Sequence, residues 1–413
     1  MLYSIIQLVG GIVMIQRPDY INRLLKFKDA NIIKILVGIR RCGKSTVLDM
    51  YKDILIKEYN ISKENIFQKK YTTMELSDNY NSDVMYKEIK DAIDGKGHCY
   101  LLLDEVQEIE GWEKVVNSLF ESYDVDIYIT GSNSKLLSSE ISTYLSGRFI
   151  QIDIFTLSLK EYKEFRDNQN LSNEELFKKY LIYGGFPLVA TLDNDPYDAY
   201  QIVEGIYATV ISNDVARRHK ILNKELFDRV VRFIMENMSK TFSANSIVKF
   251  LKGEHRSISV ETIYNYLNWL EEAFVIYRCN RYDLQGKSVL KTQEKFYLAD
   301  VSFKYSQFGY NTKGIAAALE NIVYLELRRR GYNVYVGKDF DKEIDFVAIR
   351  RDEKVYIQVC RELPNDSDRE IDNLLEIRDH YPKYVVCMDK LAMGNENGVK
   401  LVYIADFLLQ ENW

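Results

Sequence analysis

The sequence predicts an α/β fold around a parallel sheet, and three stretches carry that prediction. Ile35-Leu36-Val37 is an apolar run ending in Gly38; four residues later Gly43 leads into the helical pattern Lys44-Ser45-Thr46, so strand, GxxxxGK[ST] loop and helix follow one another. Cys99-Tyr100-Leu101-Leu102-Leu103 is a continuous apolar run of the kind a strand buried on both faces requires, and it ends in Asp104-Glu105. Val125 to Thr130 reads as a third strand, ending in Gly131-Ser132-Asn133. Open α/β sheets place ligands at the carboxyl ends of their strands, where these polar residues fall.

Length and composition bound the rest. A chain of 413 residues holds about two to four domains, each large enough for its own core. With 46% hydrophobic and 28% charged residues it is a folded, water-soluble type of sequence. The net charge of −6 excludes a molecule-wide basic field, so any nucleic-acid surface must be a local patch. Five scattered cysteines (Cys42, Cys99, Cys279, Cys360, Cys387), no CxxC pair and four histidines point to a reducing, cytoplasmic setting and away from a zinc site. The apolar N-terminus is too short to span a bilayer and lacks a basic leader, so no membrane partner is expected. Residues 1–13 admit two readings: part of the working chain, or a start set too far upstream of Met14. A helix begins soon after Arg17-Pro18.

The loop Gly38, Ile39, Arg40, Arg41, Cys42, Gly43, Lys44, Ser45 and Thr46 is the expected ATP-binding segment. Its glycines let successive N–H groups turn around a phosphate at a helix N-terminus, whose dipole favours anions. Lys44 is expected to bridge the β- and γ-phosphates and Ser45 to hold Mg²⁺. A helix follows from Thr46 to Tyr59, then a β-prone segment over 71–76 and a helix closing at Asp91–Asp94. Asp104, roughly sixty residues after Lys44, is placed to complete the Mg²⁺ shell, and Glu105 to act as general base on water. Asn133 can reach a γ-phosphate or the attacking water; the same stretch also reads as an ordinary turn. Arg148, beside the strand Phe149–Ile154, is read either as a charge acting on a γ-phosphate, its own or a neighbour's, or as a structural ion pair.

GIRRCGKSTVL, LLLDEVQEIEGWE, ITGSNSKLLS, SGRFIQIDIFTLSLKEY and YGGFP, in this order, resemble the prokaryotic family of AAA-type ATP-binding proteins with a C-terminal domain of unknown function. The resemblance runs from about Met14 to the C-terminus. It implies an ATPase core of AAA strand order, a winged-helix region and a nuclease-like domain, with Lys44, Ser45, Asp104, Glu105, Asn133 and Arg148 as nucleotide-site residues.

Residues 171–222 are helical in pattern, broken at Tyr183-Gly184-Gly185-Phe186-Pro187, which is either a hinge or a tight turn between helices. Asp214 and Arg217-Arg218 read as solvated helix surface. From 223 to 305 three helices precede two strands, the order of a winged helix. The third helix, Ser259 to Ala273, holds Glu261, Glu271 and Glu272 and no basic residue, which disfavours reading bases in a groove. The hairpin carries Arg278, Arg281, Lys287, Lys291 and Lys295, a basic wing able to touch nucleic-acid backbone without reading sequence, or a packing surface.

Residues 306–413 resemble the PD-(D/E)xK nuclease core, with Glu320 on a helix and Asp345 on a strand. Gln358 and Cys360 stand where a metal carboxylate and a lysine belong, so a nuclease fold without nuclease chemistry is expected. The expected protein is thus a P-loop ATPase core over 14–170, a helical lid, a winged helix and a degenerate nuclease-like domain. ATP and Mg²⁺ are its ligands, and a protein partner on the C-terminal domain and a homo-oligomer are further expectations. A slow nucleotide-gated switch and an ATP-dependent nuclease are the alternatives.

Overall fold

Strand β1 (Ile6–Val9) pairs antiparallel with β2 (Ile12–Ile15), and α1 (Pro18–Lys26) follows, with Pro18 in the first turn, where a missing N–H costs nothing. The computed structural model describes residues 6–9, 12–72, 76, 79–137, 145, 147–166, 170–192, 195–286, 288–363, 369–390 and 393–411. The chain divides into two compact units, Met1–Ile154 with Glu272–Phe274, and Phe155–Glu271 with Val275–Trp413.

In the first unit, β3 (Ile33–Val37), α2 (Lys44–Lys57), β4 (Ile66–Lys70), α3 (Ser82–Ile93), β5 (Cys99–Asp104), α4 (Trp112–Ser122), β6 (Val125–Gly131) and β7 (Phe149–Asp153) follow in sequence. The strands form a five-stranded parallel sheet in the order β4-β5-β6-β3-β7. Every residue of β3 and β5 is buried, which is why both read as unbroken apolar runs. Lys34 of β3 is buried too, paired with Asp126 of β6, which also accepts from the Tyr128 hydroxyl at 2.7 Å. The strand expected over 71–76 lies earlier, in β4. Its Lys69 and Lys70 are tied to Glu88 and Asp104, so an edge strand carries charges that hide its period; residues 73–75 lie outside the described residues.

Strand order decides what meets at the sheet's carboxyl edge. β6 separates β3 from β5, with Leu36 level with Thr130 and Leu103 level with Ile129. The end of β6 therefore stands between the loop after β3 and the acidic pair after β5.

The second unit opens with α5 (Leu159–Phe165), α6 (Asn173–Tyr183), α7 (Pro187–Thr191) and α8 (Pro196–Thr209). Capping boxes Ser158/Glu161 and Ser172/Glu175 start the first two. At the Gly184-Gly185 break Gly185 N donates to Asp300 at 2.8 Å and its carbonyl accepts from Leu157 N at 2.7 Å. A π-helical turn over Val210–Ala216 buries Asp214 completely, so this residue is not solvated surface.

Helices α9 (Lys224–Glu236), α10 (Ala244–Gly253) and α11 (Val260–Glu272) precede the hairpin β8 (Ile276–Asp283) and β9 (Ser288–Leu298). Then come α12 (Ser302–Phe308), α13 (Ile315–Arg329), β10 (Asn333–Asp339), β11 (Lys342–Arg350), β12 (Glu353–Cys360), α14 (Arg369–Leu375), β13 (Lys383–Cys387), β14 (Gly394–Glu396), β15 (Val399–Tyr403) and α15 (Ile404–Leu409). The hairpin is not a separate wing: β8 pairs in parallel with β10, making one eight-stranded sheet in the order β14-β15-β13-β12-β11-β10-β8-β9. Val347, Tyr356 and Val385 of this sheet form one core cluster with Ile371 and Leu374 of α14. Cys360 and Cys387, far apart in sequence, are register partners on β12 and β13, both as free thiols. Among the described residues no helix is long and apolar enough to cross a membrane.

Candidate active site

The loop after β3 is shaped by two close constraints. A Cβ on Gly38 would lie 2.0 Å from the Ile154 carbonyl, and Gly43, with φ of 103°, turns the chain into α2. Arg17, almost fully buried, braces the loop by donating to the Cys42 carbonyl at 2.8 Å. Lys44 begins α2 and folds back over the loop, its ammonium donating to the carbonyls of Gly38 at 2.9 Å and Ile39 at 3.1 Å. The same Nζ lies 3.6 Å from Glu105 Oε1.

Ser45 Oγ donates to Asp104 Oδ2 at 2.7 Å, so the two expected Mg²⁺ ligands are already in contact. Thr130, one residue before the end of β6, donates to Asp104 Oδ1 and accepts from Glu105 N at 2.9 Å. Lys70 Nζ is 4.0 Å from Asp104 Oδ2. Burial pushes the Asp104 carboxyl up, only partly offset by the hydrogen bonds from Thr130 and Ser45 and by the charge of Lys70. Glu105 behaves differently. Burial alone would raise it, but Lys44, the Gln107 amide and Arg40 outweigh burial and hold it below its ordinary value.

Glu105 stands in a left-handed conformation, φ 57°, a costly one for a side chain of this kind and common where function over-determines the backbone. That turn starts the 3₁₀ stretch Val106–Glu108 and brings Gln107 round against Glu105: Gln107 Nε2 donates to Glu105 Oε2 and reaches Ser132 Oγ at 3.4 Å. Asn133 is fully buried just beyond Ser132.

The residues fit Mg²⁺ with a nucleotide: one hydroxyl and one carboxylate in contact, the remaining positions left to phosphate and water. Among the described residues no group of three or more His, Cys, Asp or Glu is placed to hold a metal ion.

A family profile described as an AAA domain matches residues 30–163, and one described as a domain of unknown function (DUF8612) matches residues 174–313. A protein of Haemophilus influenzae named only as uncharacterized is 37% identical over 410 residues, covering 96% of this chain and 99% of the relative. The chain belongs to the prokaryotic AAA-type ATP-binding family with a C-terminal domain of unknown function. An uncharacterized Methanocaldococcus jannaschii protein is 33% identical over 371 residues, 86% of this chain and 80% of its own. Among solved structures, the Walker-type ATPase of Pyrococcus abyssi is similar at a TM-score of 0.49 and 16% identity, covering 70% of this chain and 95% of that one.

Arg148 is not brought to the loop: its carbonyl accepts from Ile33 N at 2.9 Å, at the start of β3, while the loop leaves the other end. Its guanidinium pairs with Glu121 at 2.8 Å and lies over Phe120. Cys42, within the loop, is fully buried, and burial raises its thiol above the ordinary value.

The C-terminal half of this AAA-type protein also differs from expectation. Lys295 is not a cation of the hairpin surface but is 3% exposed, held by Glu320 at 2.8 Å, Glu343 at 2.9 Å and Asp345 at 3.5 Å. An ammonium is therefore present beside Asp345 after all, supplied by β9 rather than by the position of Cys360. Gln358 is a neutral bridge, accepting from Asp345 N at 2.6 Å and donating to Glu370 at 2.8 Å. The other described cations of the hairpin are also paired: Arg278 with Glu271 at 2.6 Å and Glu294 at 3.3 Å, Arg281 with Glu343 at 3.5 Å. Lys287 and the Lys291 side chain lie outside the described residues.

Thr130, Gln107 and Lys295 carried no sequence motif of their own. A weak signal was available for the first two, since both sit within two residues of positions singled out for other reasons.

Proposed function

We propose that this AAA-type protein binds ATP with Mg²⁺ on the loop 38–46 and hydrolyses it, with nucleotide state moving the C-terminal elements. The observation that carries the reading is the convergence of Lys44 and Ser45 at the start of α2 with Asp104 and Glu105 at the end of β5 into one contact group. Lys44 exchanges its carbonyl and Glu105 contacts for phosphate oxygens, which the loop amides also hold. Ser45 and Asp104 hold the metal. Bound Mg²⁺ supplies positive charge against the phosphate oxygens. Glu105 takes a proton from the attacking water, and Asn133 orients the γ-phosphate or that water.

The test is paired. Lys44→Ala abolishes binding of a fluorescent ATP analogue, whereas Glu105→Gln keeps binding and lowers turnover by about 10²- to 10⁴-fold. Wild-type turnover in Glu105→Gln would show that the base is another group.

A second reading, a slow nucleotide-gated switch with the C-terminal unit as protein-binding surface, is favoured by one observation: Arg148 offers no charge to its own γ-phosphate. A single-turnover rate far below ordinary ATPase values selects this reading. Assembly into a homo-oligomer is proposed only for the case in which Arg148 serves a neighbour. Non-specific nucleic-acid contact loses most of its support, because Arg278, Arg281 and Lys295 already meet carboxylates. The C-terminal unit is proposed as non-hydrolytic: Lys295 neutralises internally the carboxylates that a divalent ion would need. Plasmid nicking in Mg²⁺ is then absent and unaffected by Asp345→Ala.

A further inference from the structure

We infer that Gln107 is the positioning residue for Glu105, holding one oxygen of its carboxylate in place while ATP draws Lys44 away from the other. The inference rests on the ATPase reading above. The two oxygens of Glu105 have separate partners: Oε1 faces Lys44 at 3.6 Å, and Oε2 accepts from Gln107 Nε2. A triphosphate competes for Lys44 far better than a carboxylate at that distance, since its charge is larger and its oxygens chelate. Once Lys44 leaves, Glu105 loses its nearest cation and faces a γ-phosphate of like charge, so an unrestrained side chain would swing away. The Gln107 amide prevents this without neutralising the base. A neutral N–H orients Oε2 and leaves the full negative charge on the carboxylate, with Oε1 uncovered for the proton of water.

The fold builds a seat for this amide. The left-handed turn at Glu105 brings Gln107 back toward it, Ser132 Oγ lies 3.4 Å from the same Nε2, and Gly131 leaves the space the amide fills. A Cβ on Gly131 would sit 2.5 Å from Gln107 Oε1 and 1.9 Å from Leu136 Cδ1. Oε1 is itself buried and has no hydrogen-bond partner among the described residues. An orphaned acceptor of this kind costs about 1–3 kcal/mol. A side chain kept there at that cost is aimed by its other end, the Nε2 donor.

The experiment uses the full chain. Gln107→Met keeps length and packing and removes the donor; kcat falls about 10- to 100-fold, the penalty of a mispositioned catalytic group, while KM and the dissociation constant of a fluorescent ATP analogue stay within about two-fold. In single-turnover measurements on the Glu105→Gln background, Gln107→Met causes no further loss, because the group it positions is gone. Gln107→Glu keeps the shape, sets a carboxylate against Glu105 and gives the same kcat loss, which covers the case of a poorly folding methionine variant. Unchanged kcat in either variant overturns the inference, as does an equal loss with and without Glu105, or a loss in analogue affinity that matches the loss in rate. If wild type turns over ATP and Glu105→Gln does not, the ATPase reading stands whatever Gln107 does; if wild type is inert, both fall.

Discussion

Lys44 and Lys295 are both nearly fully buried, 4% and 3% exposed, and both face carboxylates, yet their surroundings differ in kind. Lys44 has one carboxylate oxygen at 3.6 Å and two backbone carbonyls, all from the loop it stands on or from the end of β5. Those contacts are ones a phosphate can replace. Lys295 joins helix α13 and strand β11 through three carboxylates, two of them within 2.9 Å, and Tyr297 adds a hydrogen bond to Glu320 at 2.6 Å. Burial would depress the Lys295 ammonium, but Glu320, Asp345 and Glu343 raise it above its ordinary value. A lysine whose partners are weak acceptors is available for chemistry, whereas one that neutralises several buried carboxylates is a structural tie.

Exchanging each lysine for methionine breaks the comparison most sharply. Lys295→Met leaves buried carboxylates without their cation and lowers stability by about 3–5 kcal/mol in urea unfolding, with affinity for the ATP analogue unchanged. Lys44→Met shifts the balance: analogue binding disappears and the stability loss is smaller than in Lys295→Met, because one carboxylate at 3.6 Å loses its ammonium rather than three and Glu105 keeps the Gln107 hydrogen bond. A stability loss of similar size in both would show that the two lysines play the same part.

The carboxylates on the two sides should also respond to pH with opposite sign. Glu320 is pushed up to about 8 by burial and by Asp345, with Lys295 opposing, against an ordinary value of 4.5. Between those values the folded chain keeps a proton that the unfolded chain has released. This contribution is complete below about 4.5 and is lost as pH rises through about 8, at no more than about 1.4 kcal/mol per pH unit. Glu105, held low chiefly by Lys44 against the effect of burial, contributes stability that is present above its unfolded value and lost as pH falls. Urea midpoints from pH 5 to 8.5 should therefore decline more steeply in wild type than in Glu320→Gln. Parallel curves would mean that Glu320 is ionised throughout the range.

How legible each residue was follows from how its contacts are made. The loop, Asp104 and Glu105 are contiguous with the strands that carry them, so an apolar run and the polar residues ending it are enough to locate them at the ends of β3 and β5. Thr130 meets Asp104 only because β6 lies between β3 and β5, an order that no local pattern records. Lys295 had looked like one of a row of hairpin cations, and its neighbours Glu320 and Asp345 lie on elements that approach it only once β8 has joined β10. Position along β12 points to Gln358 and Cys360, whereas the ammonium beside Asp345 belongs to Lys295 of β9. Gln107 was hidden for a different reason: it is local, but its orientation depends on a left-handed Glu105, which composition cannot forecast.

Arg148 gives the smallest expected effect and separates two roles that sequence left open. The rise along β3 puts the start of that strand, where Arg148 is held, roughly 15 Å from the phosphate loop, and the side chain turns aside to Glu121 at 2.8 Å. In a single subunit Arg148→Ala thus removes a half-exposed ion pair and changes kcat by less than about two-fold, the range of an ordinary surface substitution. Were the guanidinium instead lent to a neighbour's nucleotide, wild-type kcat would rise with protein concentration and Arg148→Ala would abolish that rise while leaving the dilute rate alone. A concentration-independent rate that falls more than ten-fold in Arg148→Ala would contradict both roles, since it requires the guanidinium to act within its own subunit from the far end of β3.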